Sequence, residues 1–181
     1  LTYTNMTNSD ILPNTGMSRN TFNIRTSSKI LQKLDIDVKA NYVREDVKNR
    51  PALSDYRTNV ANNLITLAGN FDQSWLKNNY KKGNGEYYDW NNGDVWNINP
   101  YWILYEMENK SAKNQFSGSV LLKYTFNDHL YFQVTGGGDI CNMDFQEYAP
   151  YTTPGNEIGY MQKSKFNNSS YNIESLLGYH N

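Results

Sequence analysis

Cysteine occurs once in these 181 residues, histidine twice and proline five times, and the formal net charge is −1. A lone Cys141 rules out an internal disulfide, and with no CxxC neighbour or metal-ligand spacing it reads as an unpaired small residue in or near a strand. The charge balance, with no run of five or more like charges, gives no long-range attraction for nucleic acid or acidic headgroups. No nucleic-acid partner is expected. His129 falls in a predicted turn and His180 at the end of the chain, with no HExxH or Ser-His-Asp arrangement around them. The acids Glu86, Asp89, Asp94, Glu106 and Glu108 are scattered, with nothing to fix two of them across a glycosidic bond. The expectation is therefore no enzyme, no cofactor and no catalytic or metal site. The sequence also lacks any stretch of about 18 consecutive apolar residues, which excludes a transmembrane helix. A transmembrane β-strand stays open, because it needs only about 9–11 alternating residues.

What the chain has instead is aromatic and polar. Fifteen Tyr, seven Phe and four Trp bring aromatics to 14%, too many for a disordered segment. Hydrophobic residues make up 38%, below the usual globular share of about 45–50%. Asn, Ser, Thr and Tyr fill the difference.

Five segments alternate with period 2. "KLDIDVKANYVRE" sets Leu34, Ile36, Val38, Ala40 and Tyr42 on one face against Asp35, Asp37, Lys39 and Asn41. "FNIRTSSKI" is a weaker case, with Phe22, Ile24 and Ile30 opposite Asn23, Arg25 and Lys29. "FSGSVLLKYTF", "LYFQVTG" and "SYNIESLLGY" repeat the alternation, and residues 1–5 read as the end of a sixth strand. Both ends of the chain read as mid-strand, so an interior piece of a longer protein is expected. Connections 31–33 and 127–129 are short enough for hairpin turns, whereas 6–19, roughly 45–114 and about 140–168 are long. Short and long alternate, which is the order of an up-and-down sheet with tight turns at one rim and long loops at the other.

The loop 45–114 is too long to be structureless. Val60, Leu64, Leu67, Phe71 and Trp75 are spaced by three or four and predict one amphipathic helix, weakened by Gly69. A second, short helix is predicted at "NPYWILYEMENK", capped by Asn99 with Pro100 in its first turn. The triple glycine Gly136–Gly138 predicts a bend, a bulge or a close approach.

Phe22, Tyr42, Phe116, Tyr124, Phe126, Tyr171 and Tyr179 sit near the predicted strand ends, with aliphatic residues between them. Two aromatic girdles around an aliphatic band fit a membrane barrel, although β-sandwiches are also rich in aromatics. On the pattern alone two readings stand: a transmembrane barrel section, or a soluble or surface all-β carbohydrate-binding module.

"ILPNTG" (Ile11–Gly16), "NTFNIRTSSKI", "KLDIDVKANYVRED", "KNRP" (Lys48–Pro51), "NPYW" (Asn99–Trp102) and "FSGSVLLKYTFNDHLYFQVTGGGD" together resemble the barrel region of the SusC/RagA family of TonB-linked outer-membrane proteins. The likeness runs over nearly the whole chain, in order. Gly136–Gly138 depart from it, because a more typical strand residue, often Arg, is expected there. The resemblance implies that 1–181 is part of a large TonB-dependent receptor β-barrel in the bacterial cell outer membrane, with five or six antiparallel strands and 45–114 as a partly helical extracellular loop. It also implies nutrient import, chiefly of glycans and in some members of peptides. The partners implied are a SusD-like surface lipoprotein, outer-membrane lipid, and the TonB-ExbB-ExbD complex, engaged through an N-terminal part that this chain does not contain.

Within the long loop Trp75, Tyr87, Tyr88, Trp90, Trp96, Tyr101 and Trp102 lie among Asn and Asp. Flat rings beside amides and carboxylates suit a sugar or a partner protein, and these seven are the ligand- or partner-contacting candidates. They equally suit a loop that must pack its own small core.

Overall fold

The computed structural model describes residues 1–180. They form one six-stranded antiparallel sheet in sequential order: β1 (Thr2–Ser9), β2 (Gly16–Ile30), β3 (Leu34–Lys48), β4 (Glu108–Thr125), β5 (Leu130–Ala149) and β6 (Tyr160–Tyr179). The chain is all-β and up-and-down. Three short helices, α1 (Val60–Ile65), α2 (Gln73–Asn78) and α3 (Pro100–Tyr105), all lie between β3 and β4. Among the described residues β1 and β6 are each paired on one side only, so the sheet is open.

Connections 31–33 and 126–129 share one rim, and 10–15, 49–107 and 150–159 share the other. At the first, Leu31 and Gln32 both take positive φ and Lys33 N–H donates to Ile30 O at 3.3 Å, the turn sense that matches strand twist. At the second, Asn127 Oδ1 accepts from the backbone N–H of His129 and Leu130. The strands run further past the sequence boundaries than expected, so the central loop spans 49–107 rather than 45–114, and the outer connections shrink to 10–15 and 150–159.

The register aligns side chains into rows across the sheet. On one face Ile30, Leu34, Tyr124, Phe132 and Leu177 form a row. Successive rows of that face run through Ile36 and Leu122, Val38 and Val120, and Ala40 and Gly118. They end in Tyr3, Phe22, Tyr42, Phe116 and Ile140. The opposite face carries Arg25, Asp37, Lys39 and Lys123, with ion pairs Arg25–Asp37 at 3.4 Å, Lys39–Asp37 at 3.8 Å and Lys29–Asp35 at 3.8 Å. The two-faced reading of the strands is therefore how the sheet is built. One correction concerns the upper aromatics: Phe22, Tyr42 and Phe116 stand in mid-strand, because the ladders continue beyond them to Gly16, Lys48 and Glu108.

Gly136, Gly137 and Gly138 hold register with Ile173, Asn172 and Tyr171. Neither a bend nor a bulge is needed; close approach is what Gly137 and Gly138 serve, whereas a Cβ on Gly136 would meet nothing within 4 Å. A Cβ on Gly138 would stand 2.9 Å from Tyr171 Cδ1, and one on Gly137 would stand 2.8 Å from Asn172 Oδ1.

A tighter case is Gly178, where an added Cβ would fall 2.2 Å from Tyr131 Cζ. The Tyr131 ring lies over this glycine with Lys123 Nζ 4.3 Å from its centroid. Gly178→Ala is expected to push the ring off the sheet and cost about 1–3 kcal/mol. Tyr131→Ala in the same background should recover most of that loss, read as denaturant midpoints of the four-member cycle. Additive midpoints would contradict the overlap.

Candidate functional site

The loop 49–107 is built on caps and a small core. Asn59 caps α1 by accepting from Ala61 N–H and Asn62 N–H, and Asp72 caps α2 by accepting from Ser74 N–H. The single helix expected across 60–75 is thus two helices, interrupted at 66–72, where Gly69 sits and Asp72 restarts the turn. Helix α3 matches its expected start, with Asn99 Oδ1 accepting from Tyr101 N–H and Pro100 in the first turn.

Asn99 is fully buried and ties three elements together. Its N–H donates to Tyr87 Oη at 3.0 Å and its Nδ2 donates to Leu76 O at 3.0 Å. Tyr87 and Trp102 meet edge to face, with centroids 5.3 Å apart, over Ile98. Trp102 Nε1 donates to Thr153 Oγ1 at 3.0 Å, and Tyr87 N–H donates to Thr152 Oγ1 at 2.8 Å. The loop is thereby docked on the connection 150–159. Asn14 joins the third connection to the same body, donating through Nδ2 to Leu104 O at 2.7 Å and accepting at O from Asn49 Nδ2.

This placement divides the seven candidates. Tyr87 and Trp102 are 4% and 0% exposed; they hold the loop together and leave no surface for a ligand. Trp75, Tyr88 and Trp96 are 38%, 37% and 62% exposed. Trp75 packs edge-on to Tyr88 at 5.9 Å and to Phe71 at 6.0 Å, and Phe71 packs against Trp90 at 5.1 Å. Tyr101 lies elsewhere, stacked on Tyr105 at 6.2 Å. The arrangement gathers Trp75 and Tyr88 into one outward-facing ring array and adds Phe71, which the sequence pattern places only in a helix stripe, while Trp90 packs beneath them on the Tyr87, Ile98 and Trp102 core. The spacing of four between Phe71 and Trp75 was the available signal.

Neither a scan against protein-family models nor a search of curated proteins finds a match.

The carboxylates around the rings are already engaged. Asp89 Oδ1 accepts from Asn91 N–H and Gly93 N–H, and Asp94 accepts from Trp96 N–H and Asn97 Nδ2. The Asn97 contact, then the Trp96 N–H, hold the Asp94 carboxyl below its ordinary value. Glu106 pairs with Lys81 at 2.9 Å, Glu86 with Lys82 at 3.3 Å and Glu108 with Lys110 at 2.7 Å. These bonds shape the turns that present the rings. Beneath the loop, a cleft of about 230 Å³ lined by Pro51, Tyr56, Arg57, Met107 and Tyr148 falls short of the roughly 300 Å³ at which small-molecule sites begin.

Burial pushes the Tyr87 phenol up to about 12 from 10.0, against the pull of the Asn99 N–H it accepts. The fold holds the neutral phenol, so loop stability is fully present below pH 10. It should fall by up to about 3 kcal/mol as pH rises through 12. Tyr87→Phe should flatten that decline in alkaline melts followed by loop Trp fluorescence. An unchanged alkaline slope in Tyr87→Phe would assign the loss to another group.

Proposed function

We propose that this chain is part of the wall of a bacterial outer-membrane, TonB-dependent nutrient importer of the SusC/RagA kind. The observation that carries the reading is the apolar band. Ten residue steps separate Phe116 from Phe126. At ~3.3 Å per residue and a tilt of ~40° they rise about 25 Å along the membrane normal, the height of a barrel's lipid-facing band. The band runs across β3, β4 and β5, is interrupted on β2 by Thr26 and Ser28, and is bounded above by an aromatic row, while charged residues hold the other face. Ile173 and Leu177 on β6 stay 81% and 66% exposed. Two open ladders beside such a face are a liability that closure by further strands removes.

In this arrangement the tight turns lie on the periplasmic side and the docked loops 10–15, 49–107 and 150–159 at the outer mouth. Trp75, Tyr88 and Trp96 then face incoming glycan or peptide, or the SusD-like lipoprotein above. Energy would come from TonB-ExbB-ExbD through a part of the importer outside this chain. The first test is physical: the full-length protein should be extracted only by detergent and should run faster unheated than boiled on a denaturing gel, as folded barrels do. A water-soluble product would overturn the assignment and favour a carbohydrate-binding module.

Of the seven candidate rings Trp96 is the most exposed and lies outside the packed array. Trp96→Ala should weaken capture of ligand or lipoprotein by about fivefold or more while leaving the amount of folded protein unchanged. Unaltered affinity in a binding titration would remove Trp96 from the contact surface.

A further inference from the structure

Above the aromatic row the band's face changes character in steps. Two residues up stand Asn5, Asn20, Asn114, Asn142 and Asn167, with Arg44. This amide row is bonded to the ring hydroxyls below it: Tyr3 Oη donates to Asn20 Oδ1 at 2.7 Å and Tyr42 Oη to Asn114 Oδ1 at 2.9 Å. Higher again, a groove of about 820 Å³ is lined by Asp46, Lys48, Lys110, Asp144, Lys163 and Lys165. Arg44 is held by Asp46 at 2.7 Å, Lys165 by Asp144 at 3.6 Å and Lys110 by Glu108 at 2.7 Å. Lys48 bonds only the Asn14 amide oxygen, and Lys163 has no acidic partner among the described residues. Lys48 is also directly opposite Lys110 in the ladder, a like-charge pairing that Glu108 offsets on the Lys110 side only.

We propose that this groove docks the phosphorylated sugar headgroup of an outer-leaflet glycolipid. The inference rests on the barrel reading, which sets this face toward the membrane. The order of the rows decides the class of lipid. Apolar side chains meet acyl chains, aromatic rings mark the interface, amides face sugar hydroxyls, and lysines meet phosphate carried on the sugars. The heights agree with this. At ~3.3 Å per residue and a ~40° tilt, the row of Lys165, which also carries Asp46 and Asp144, stands about 10 Å above the aromatic row, and the row of Lys48, Lys110 and Lys163 about 15 Å. The headgroup zone of a simple phospholipid extends only about 5–8 Å beyond the hydrocarbon. Even with lysine stems reaching downward, a phosphoglyceride's phosphate lies at the amide level and an anion borne on a sugar headgroup at the level of the lysines.

The test uses the full-length protein in phospholipid nanodiscs, titrated with lipid A, an acylated glucosamine disaccharide carrying two phosphates, and with its dephosphorylated form. Wild type should bind the phosphorylated lipid in preference. The triple variant Lys48→Gln, Lys110→Gln, Lys163→Gln should lose that preference by roughly fivefold per lysine removed, the weight of one cation near an anionic surface. The opposite-face pair Lys39→Gln, Lys123→Gln should leave it intact. Equal binding of the two lipids, wild-type affinity in the triple variant, equal binding of phosphatidic acid, or displacement by millimolar inorganic phosphate would each overturn the proposal while the barrel assignment stands. Failure of the wild type to enter the bilayer would overturn both.

Discussion

Trp102→Ala is expected to unfold the 49–107 loop while leaving the sheet paired. The side chain is fully buried, packs on Tyr87 and Ile98, and donates its Nε1 hydrogen to Thr153. Removing it empties the largest fully buried site among the described residues and should cost about 3–5 kcal/mol. That exceeds what a body stitched by so few contacts can be expected to keep in reserve. Backbone amides whose partners lie in this body, such as Tyr87 on Thr152 and Asn99 on Tyr87, should exchange with solvent at least a hundredfold faster. Ladder amides of β3 and β4 should hold their rates. Trp102→Phe separates the two contributions. It keeps most of the volume and loses only the donor to Thr153, whose hydroxyl still donates to Pro150 O at 2.7 Å, so about 1–2 kcal/mol is expected. If Trp102→Ala left loop exchange unchanged, the loop's order would have to come from the capping network of Asn59, Asp72 and Asn99.

How far the sequence reveals this fold changes at the aromatic row. Below it, alternation is clean because one environment lies on each side: Leu34 to Tyr42 on even numbers, charged and polar residues on odd. Above it the phase inverts. Val43 and Val47 on β3, and Cys141, Met143 and Phe145 on β5, put apolar groups on the odd positions, while Arg44, Asp46, Asn142 and Asp144 take the even ones. Val43, on the face that is polar lower down, is 3% exposed. A period-2 pattern that reverses phase looks like a strand that ends, which is why the upper halves of the strands read as loop. The basic rows went unrecognised for the same reason.

The loop behaved differently. Its caps at Asn99 and Pro100 are local chemistry and were legible. Which rings turn inward was not, because Tyr87 and Tyr88 are adjacent and chemically alike. Only the long-range partners Asn99 and Thr152 assign the first to the core.

Val38→Arg against Asp37→Asn is the sharpest test of what the apolar face touches. Val38 lies in the middle row of the band, with Thr26 and Val120 beside it in register. If that face meets lipid, an arginine there should cost roughly 2–4 kcal/mol, falling to about 0–1 kcal/mol toward the interface. Val38→Arg should then sharply reduce the folded, heat-modifiable protein recovered from the outer membrane. Tyr42→Arg, at the aromatic row, should be milder despite deleting a larger side chain. Asp37→Asn removes exposed pairs to Arg25 and Lys39, worth about 0–1 kcal/mol, and should assemble normally. The depth gradient discriminates in a way that a single loss cannot. A face packed on a soluble core would resist charge wherever it is buried and would be hurt most by losing the large ring at Tyr42. Lipid instead ranks the positions by distance from the midplane, with Val38 worst, Ala40→Arg between and Tyr42 least. An inverted ranking would move this face off the membrane and onto a protein core.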